Sequence, residues 1–301
     1  MFLFLTTTMS SFQAANLFGV KDKVVLITGG SRGIGKMIAT GFVANGAKVY
    51  ISARSAKDCD ETAKELTAMG PGTCFAIPAD LQKVEAVNNL VQELSSKEKA
   101  LHVLINNAGA AWGDSIDDHP DEAFTKVLTL NLQRVFTLTQ KCLPLLRAAA
   151  EAGGKNGNSY RDPARIINVR FQTCPNYCPL TLAPQIGSVE GLAVPDHETY
   201  AYSASKAALH QLSNHMAGRL GGEGIHSNVI ACGLFPSKMT AYTIKTAGDV
   251  VLADIPSARA GLPEEVAGTA LYLASRASGY TNGATIAIDG GLLVHMPSFK
   301  L

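Results

Sequence analysis

From Lys23 onward, short apolar runs rich in β-branched residues alternate with longer stretches whose apolar residues recur every three to four positions. Val24-Val-Leu-Ile27 comes first, then a helical pattern to about Asn45, then Lys48-Val-Tyr-Ile51. Further strand candidates are Cys74 to Pro78, His102 to Ile105, Arg165 to Val169, His226 to Ala231 and Thr285 to Ile288, with helical segments between most of them. This βαβ rhythm predicts an α/β fold: one doubly wound parallel sheet with helices on both faces. Both halves keep the rhythm, so residues 21–301 read as one domain behind an N-terminal extension of residues 1–20. Gly153 to Asn158 reads as a surface loop after a helix.

Composition adds exclusions. The 301 residues carry 26 basic and 25 acidic side chains, a net charge of +1, and 47% hydrophobic residues. A chain of this length builds a sizeable core without staples. Near-neutrality without a Lys/Arg cluster excludes nucleic acid as a partner, because phosphate neutralisation needs clustered cations. The six cysteines are scattered, as in reduced intracellular proteins. No apolar run approaches the length of a membrane span, and Met1-Phe-Leu-Phe-Leu5 lacks the basic region of a signal peptide. The expectation is a cytoplasmic protein with no membrane partner. Met9 offers a second start, and Phe299-Lys300-Leu301 resembles a Ser-Lys-Leu peroxisomal address, with Phe in place of the small residue.

Candidate chemistry begins directly after the first strand, at Thr28-Gly29-Gly-Ser31-Arg32-Gly33-Ile34-Gly35. A glycine-rich turn that closes a strand and opens a helix lets backbone N–H groups approach a pyrophosphate, which the helix N-terminus then stabilises. For NAD, an acidic residue at the end of the second strand would hold the ribose hydroxyl. Here that strand ends Ser52-Ala53-Arg54-Ser55. Arg54 and Arg32 instead suit a 2′-phosphate, which makes NADP(H) the expected cofactor.

Tyr202 and Lys206 stand four residues apart at the start of an apolar-periodic segment running to about Leu220, so they share a helix face. A tyrosine ordinarily titrates at about 10, and a neighbouring ammonium favours the phenolate, which suits proton exchange with a carbonyl or alcohol. Tyr200 is a rival without a lysine one turn on, because residue 204 is alanine.

With these motifs in order, the chain resembles the short-chain dehydrogenase/reductase family over nearly all of Lys21 to Val294. The glycine motif matches at Thr28, Gly29, Gly33 and Gly35, Asp80-Leu81 resembles the adenine-side acidic position, and Asn106-Asn107-Ala108-Gly109 matches the motif that ends the fourth strand beside the cofactor. Asn131 matches the family's helix asparagine, which holds a water on a relay to the lysine. The resemblance implies a Rossmann-type fold in which Tyr202 is the acid or base, Lys206 lowers its pKa and binds the nicotinamide ribose, and Ser188 hydrogen-bonds the substrate oxygen. Gly233 to Thr240 resembles the loop beside the nicotinamide, with Cys232 where a proline commonly stands. It implies a small-molecule carbonyl or alcohol substrate, free or acyl-linked, no metal, and a homo-tetramer or homo-dimer built through the helices carrying Asn131 and Tyr202. Within the family, Ile186 to Leu192, Phe235 to Lys238 and Ile286 to Gly291 look most like the rhamnolipid-type 3-oxoacyl-[acyl carrier protein] reductases and fungal relatives. A fungal secondary-metabolite ketoreductase fits equally well. An apolar substrate lining is expected from Phe235 to Gly261, including Met239, Tyr242, Ile244, Val250 and Ile255.

One segment departs from the family. Its fifth strand runs straight into the serine, whereas here Ile166-Ile-Asn168 is separated from Ile186-Gly187-Ser188 by residues 169–185. Deleting those 17 residues restores the pattern. They begin with Val-Arg, whose codons can spell an intron donor, and end with Gln, whose codon can be CAG. The reading is a retained short intron translated in frame. Its rivals are a genuine active-site loop, to which Pro175, Pro179 and Pro184 are suited, and a metal site at Cys174 and Cys178, which lacks a second ligand pair. The leading function is NADPH-dependent carbonyl reduction. The alternatives are an alcohol or polyol dehydrogenase and a catalytically impaired NADPH-binding protein.

Overall fold

A computed structural model describes residues 9–170, 198–237, 240, 244–245 and 251–295. Its centre is a seven-stranded sheet of β1 (Val24–Thr28), β2 (Lys48–Ser52), β3 (Thr73–Ala76), β4 (Val103–Asn106), β5 (Ala164–Arg170), β6 (Ile225–Cys232) and β7 (Thr285–Ile288). The order across the sheet is β3-β2-β1-β4-β5-β6-β7, and every pairing is parallel. All of β1 is buried, which is why it reads as an unbroken apolar run and not as an alternation. Strand order reverses between β1 and β4, so a cleft opens beyond their C-terminal ends, where open α/β sheets bind ligands.

Helices α1 (Gly33–Ala44), α2 (Ala56–Met69), α3 (Val84–Lys97), α4 (Asp121–Leu128), α5 (Arg134–Ala152), α6 (Tyr200–Leu220) and α7 (Pro263–Ala274) flank the sheet. On one face Ile38 and Phe42 of α1 meet Val266, Ala270 and Leu273 of α7. On the other, Val87, Leu90 and Leu94 of α3 meet Leu138, Cys142 and Leu146 of α5. Both stripes follow the helical period, which buries one face of each helix against the sheet. Val20, expected in the extension, is fully buried in the first of these cores.

Three local expectations are corrected. The third strand is Thr73–Ala76 and not Cys74 to Pro78, because its ladder to β2 ends opposite Ile51. The expected loop at 153–158 contains Lys155–Asn156, paired antiparallel with Ser159–Tyr160. The fifth strand continues through Val169 to Arg170, pairing with Ile230 and Ala231 of β6.

At the N-terminal end of the sheet lies a buried ionic cluster. Arg165 is fully buried, donates to the Ser275 carbonyl at 3.0 Å, and stands 3.7 Å from Asp162. Asp162 also accepts from Lys23 at 2.7 Å. His226 is the register partner of Arg165 on β6, and His102 Nδ1 accepts from the Val24 N–H at 3.0 Å. These contacts tie β1, β4, β5 and β6 together at the end opposite the cleft.

Candidate active site

The turn between β1 and α1 uses its glycines in two ways. Gly29 and Gly33 take φ of +67° and +53°, the left-handed region that favours glycine. Gly35 is required by space: a Cβ there would lie 2.2 Å from the Gly29 carbonyl oxygen and 2.5 Å from Asn107 Nδ2. Arg32, at the N-cap of α1, makes no side-chain capping hydrogen bond, and the first turn contains no acidic residue. The positive end of the helix therefore faces the cleft without an internal anion.

A second strand end locks this turn. Thr28 Oγ1 accepts from the N–H groups of Asn107 and Ala108, at 2.9 and 3.0 Å. Asn107 Nδ2 donates to the carbonyls of Thr28 and Gly29, at 2.8 and 3.2 Å. Asn107 is thus a brace across the β1/β4 switch point, joining residues far apart in sequence.

Between these elements lies a cavity of about 780 Å3, bordered by Gly29, Ser31, Arg32, Gly33, Ile34, Arg54, Asp80, Leu81, Asn107, Ala108, Gly109 and Gly233. All twelve are residues the sequence had assigned to the cofactor. Arg32 and Arg54 are both exposed on its rim. Phe235, Ser237 and Thr240 of the loop expected beside the nicotinamide also line the cavity, as do Ser52, Asp58, Gln82 and Lys126, which the sequence reading missed. For Ser52 a signal existed, since it ends a strand pointing at the cleft. Lys126 and Gln82 reach the cavity only through the packing of α4 beside the β3–α3 connection, where Gln82 Nε2 donates to the Lys126 carbonyl at 3.0 Å.

The cavity suits NADP(H). Its volume lies within the usual range for ligand clefts, Arg54, and no carboxylate, stands just beyond the end of β2, Arg32 stands in the glycine turn, and an uncapped helix N-terminus faces the cavity. Ser52 Oγ and Asn107 Oδ1 are buried there without a hydrogen-bond partner in the protein. Such atoms are costly unless a ligand satisfies them. Asp58 and Asp80, which also line it, are the carboxylates that oppose an anion.

The chemical residues converge beside Gly109. Helix α4 passes into α5 through a π turn, Thr129–Gln133, which turns Asn131 inward until it is 1% exposed. Such turns often mark functional positions. Asn131 Oδ1 accepts from the Ala110 N–H, and its Nδ2 donates to the Ala110 carbonyl, both at 2.9 Å. Nδ2 also donates to Ser205 Oγ at 3.0 Å, and Ser205 donates in turn to the Tyr202 carbonyl at 2.7 Å. Asn131 therefore ties the loop after β4 to the first turns of α6.

Tyr202 and Lys206 are each 2% exposed, and Lys206 Nζ stands 5.2 Å from the centroid of the Tyr202 ring. A Cβ on Gly109 would lie 3.2 Å from Asn131 Oδ1 and 3.7 Å from Lys206 Nζ. The lysine and the asparagine thus reach the same stretch of the cavity wall. Tyr202 packs with Val127, Ala201 and Ala111 and does not border the cavity among the described lining residues.

Ser188, residues 171–185, and Met239, Tyr242 and Val250 lie outside the described residues. Of the expected apolar lining, Ile255 instead packs as core, with Leu234 and Val251, and Ile244 rests against that cluster. The described cysteines 59, 74, 142 and 232 are buried. Among the described residues no helix is long and apolar enough to cross a membrane.

Comparison with known proteins agrees with this geometry. The family model described as short chain dehydrogenase matches residues 23–158, and that described as Enoyl-(Acyl carrier protein) reductase matches residues 185–293. A rhamnolipids biosynthesis 3-oxoacyl-[acyl-carrier-protein] reductase of Pseudomonas aeruginosa is 43% identical over 91% of this chain and 97% of its own length. The short-chain dehydrogenase/reductase VdtF of Byssochlamys spectabilis is 31% identical over 96% of this chain and 98% of its own length. The structure of the Pseudomonas aeruginosa RhlG/NADP active-site complex superposes with a TM-score of 0.79 at 42% identity, covering 92% of this chain and 98% of that one. The chain belongs to the short-chain dehydrogenase/reductase family and is an NADP-dependent oxidoreductase of that family.

Proposed function

We propose that the protein reduces a ketone, of free or 3-oxoacyl type, to an alcohol with NADPH. The observation that carries this reading is the convergence of Lys206 Nζ and Asn131 Oδ1 beside Gly109, with Tyr202 on the same helix face as Lys206. Bound NADPH supplies the hydride. Thr28, Gly29, Ser31, Gly33, Ile34 and Gly35 present backbone to its pyrophosphate, Arg32 and Arg54 meet its 2′-phosphate, and Asp80 and Leu81 sit on the adenine side. Charge builds on the substrate oxygen as reduction proceeds, so a proton must be ready. Tyr202 Oη donates it, Lys206 keeps the resulting phenolate stable, and Ser188 orients the oxygen. Asn131 keeps the loop carrying Ala110 fixed against α6 and serves the relay that reprotonates the tyrosine.

On this reading residues 21–301 act as one domain behind residues 1–20, and the working form lacks residues 169–185. Two observations support the second point. The two family models leave residues 159–184 between them. In addition, deletion would put Ile186 and Gly187 in the strand positions of Val169 and Arg170 and bring Ser188 to the C-terminal end of β5, beside the cleft. We place the enzyme in the cytoplasm as a homo-tetramer or homo-dimer. Phe124 on α4 and Phe136 on α5, both exposed, support that association. A place in fungal secondary metabolism belongs to the same proposal.

The test is NADPH oxidation over a panel of ketones by the full chain and by a form without 169–185. The shortened form is expected to gain turnover, and Tyr202→Phe within it to lose about 1,000-fold in kcat with NADPH affinity unchanged. Equal turnover of the two forms would overturn the proposed working form. Tight NADPH binding without turnover by either would favour a cofactor-binding protein, and a preference for alcohol oxidation would favour the dehydrogenase direction. A transcript population that consistently carries 169–185 as coding sequence would also contradict the retained intron.

A further inference from the structure

Beside Tyr202 the loop from Ala110 to Pro120 forms a rim that the mechanism does not use. Its first residue, Ala110, borders the cofactor cavity, and Ala111 packs against Tyr202. The loop is held rigidly by Glu198. The Glu198 carbonyl accepts from the Asp114 N–H at 3.1 Å, and Glu198 Oε1 accepts from the Ile116 N–H at 3.3 Å and from Tyr200 Oη at 3.0 Å. His119 reinforces it, lying edge-on to Phe124 and Tyr200 with ring centroids 5.9 and 6.2 Å away. On this braced rim Trp112 and Ile116 are 42% and 70% exposed. A rigid, wet apolar surface next to the proton donor suits an apolar substrate tail, whose ordering it need not share.

The same rim is strongly acidic. Asp114, Asp117, Asp118, Asp121 and Glu122 fall within residues 110–125, which contain no Lys or Arg. Glu198, which holds the loop, adds a further carboxylate, and residues 198–205 again contain no Lys or Arg. In a chain of net charge +1, negative charge is thus concentrated in the described loop and helix start beside Tyr202. Lys126 faces the cofactor cavity, and Arg134 is engaged with the Gln82 carbonyl at 3.2 and 3.3 Å, so neither offsets the rim. A rim of one sign repels ligands of the same sign and slows their encounter.

We infer that Trp112, Ile116 and the carboxylates around them select an uncharged ketone with an apolar tail and exclude thioesters carried on polyanions such as coenzyme A or an acidic carrier protein. This deepens the proposed carbonyl reduction and rests on it. The apolar ledge supplies affinity for the tail, and the acidic rim sets the discrimination, so this chain differs in substrate from the carrier-dependent reductase it resembles.

Trp112 is the single tryptophan, so its emission reports on the ledge directly. The full chain, saturated with NADP+, is titrated with ethyl 3-oxooctanoate and with 3-oxooctanoyl-coenzyme A at ionic strengths from about 20 to about 300 mM. The ester is expected to shift Trp112 emission saturably, with a Kd indifferent to salt. The thioester is expected to bind about tenfold more weakly at low salt, and the gap to narrow as salt rises. Asp114→Asn/Asp117→Asn/Asp118→Asn, which keeps the acceptor oxygens, is expected to tighten thioester binding about three- to tenfold and leave the ester unchanged. A thioester that binds as tightly as the ester, or is indifferent to neutralisation, overturns the inference. So does an ester that leaves Trp112 emission unmoved, or emission that varies with protein concentration alone, which would give the ledge to a second copy of the chain. NADPH oxidation is read separately, on the form without 169–185: a Trp112 response without turnover by that form overturns the proposed reduction and leaves the ledge standing.

Discussion

Gly35→Ala tests the cofactor cradle most directly. The added Cβ would lie 2.2 Å from the Gly29 carbonyl oxygen and 2.8 Å from its carbon, both backbone atoms that cannot rotate away. Relief requires about 1 Å of movement between the turn and the first turn of α1. That movement misaligns the backbone N–H groups that must meet a pyrophosphate. Charge-assisted hydrogen bonds contribute about 1.5–3 kcal/mol each, so losing two weakens NADPH by about 3–6 kcal/mol, or roughly 150- to 20,000-fold in Kd. Overpacking itself costs about 1–3 kcal/mol of stability, which leaves a folded protein. Gly268→Ala is the matched control. Gly268 is exposed inside α7 with open space where the Cβ would go, so helix propensity alone adds about 1 kcal/mol. NADPH fluorescence titrations, with urea melts of the same samples, separate the two effects. A Gly35→Ala protein that binds NADPH within about threefold of the parent would refute the cradle.

Two further outcomes follow from named contacts. Arg54→Ala and Arg32→Ala should each weaken NADPH by about tenfold or more and leave NADH nearly unchanged, as read by paired titrations. Equal losses for both cofactors would remove the 2′-phosphate from the argument. Burial, and then the Arg165 charge, pushes His226 down to about 4; the unfolded imidazole titrates at about 6.5, so the folded chain binds fewer protons. The resulting stability is complete above pH ~6.5 and is lost as pH falls toward ~4. The parent should therefore lose about 2 kcal/mol more than His226→Leu between pH ~7 and ~5, and identical pH slopes would sink the idea.

The sheet was legible because parallel strands covered on both faces are apolar along most of their length, as β1 and β4 are up to Thr28 and Asn106. Strand ends were less so, because a ladder stops where its partner stops. Pro78, offered as part of the third strand, lies beyond the last partner β2 provides. The cofactor turn could be read because its constraints are local: glycine after glycine between a strand and a helix. The brace from Asn107 to Thr28 and Gly29 could not, since it spans 78 and 79 residues. Nor could the π turn at Asn131, where pairings to Ala110 and Ser205 override an unremarkable helical sequence.

The fifth strand shows why fold and chemistry must be judged separately. Its ladder with β6 runs unbroken from Ala164 opposite Ile225 to Arg170 opposite Ala231. A buried position in such a ladder asks for a β-branched apolar side chain, and Val169 meets that demand as well as Ile186 would. The sheet therefore forms whether residue 168 is followed by the extra segment or by Ile186. On the proposed mechanism, what differs is the residue that leaves the strand, and with it whether Ser188 follows β5 directly. Stability measurements on the two forms should consequently lie close together while, on the proposed mechanism, turnover separates them, because the ladder can tolerate either continuation.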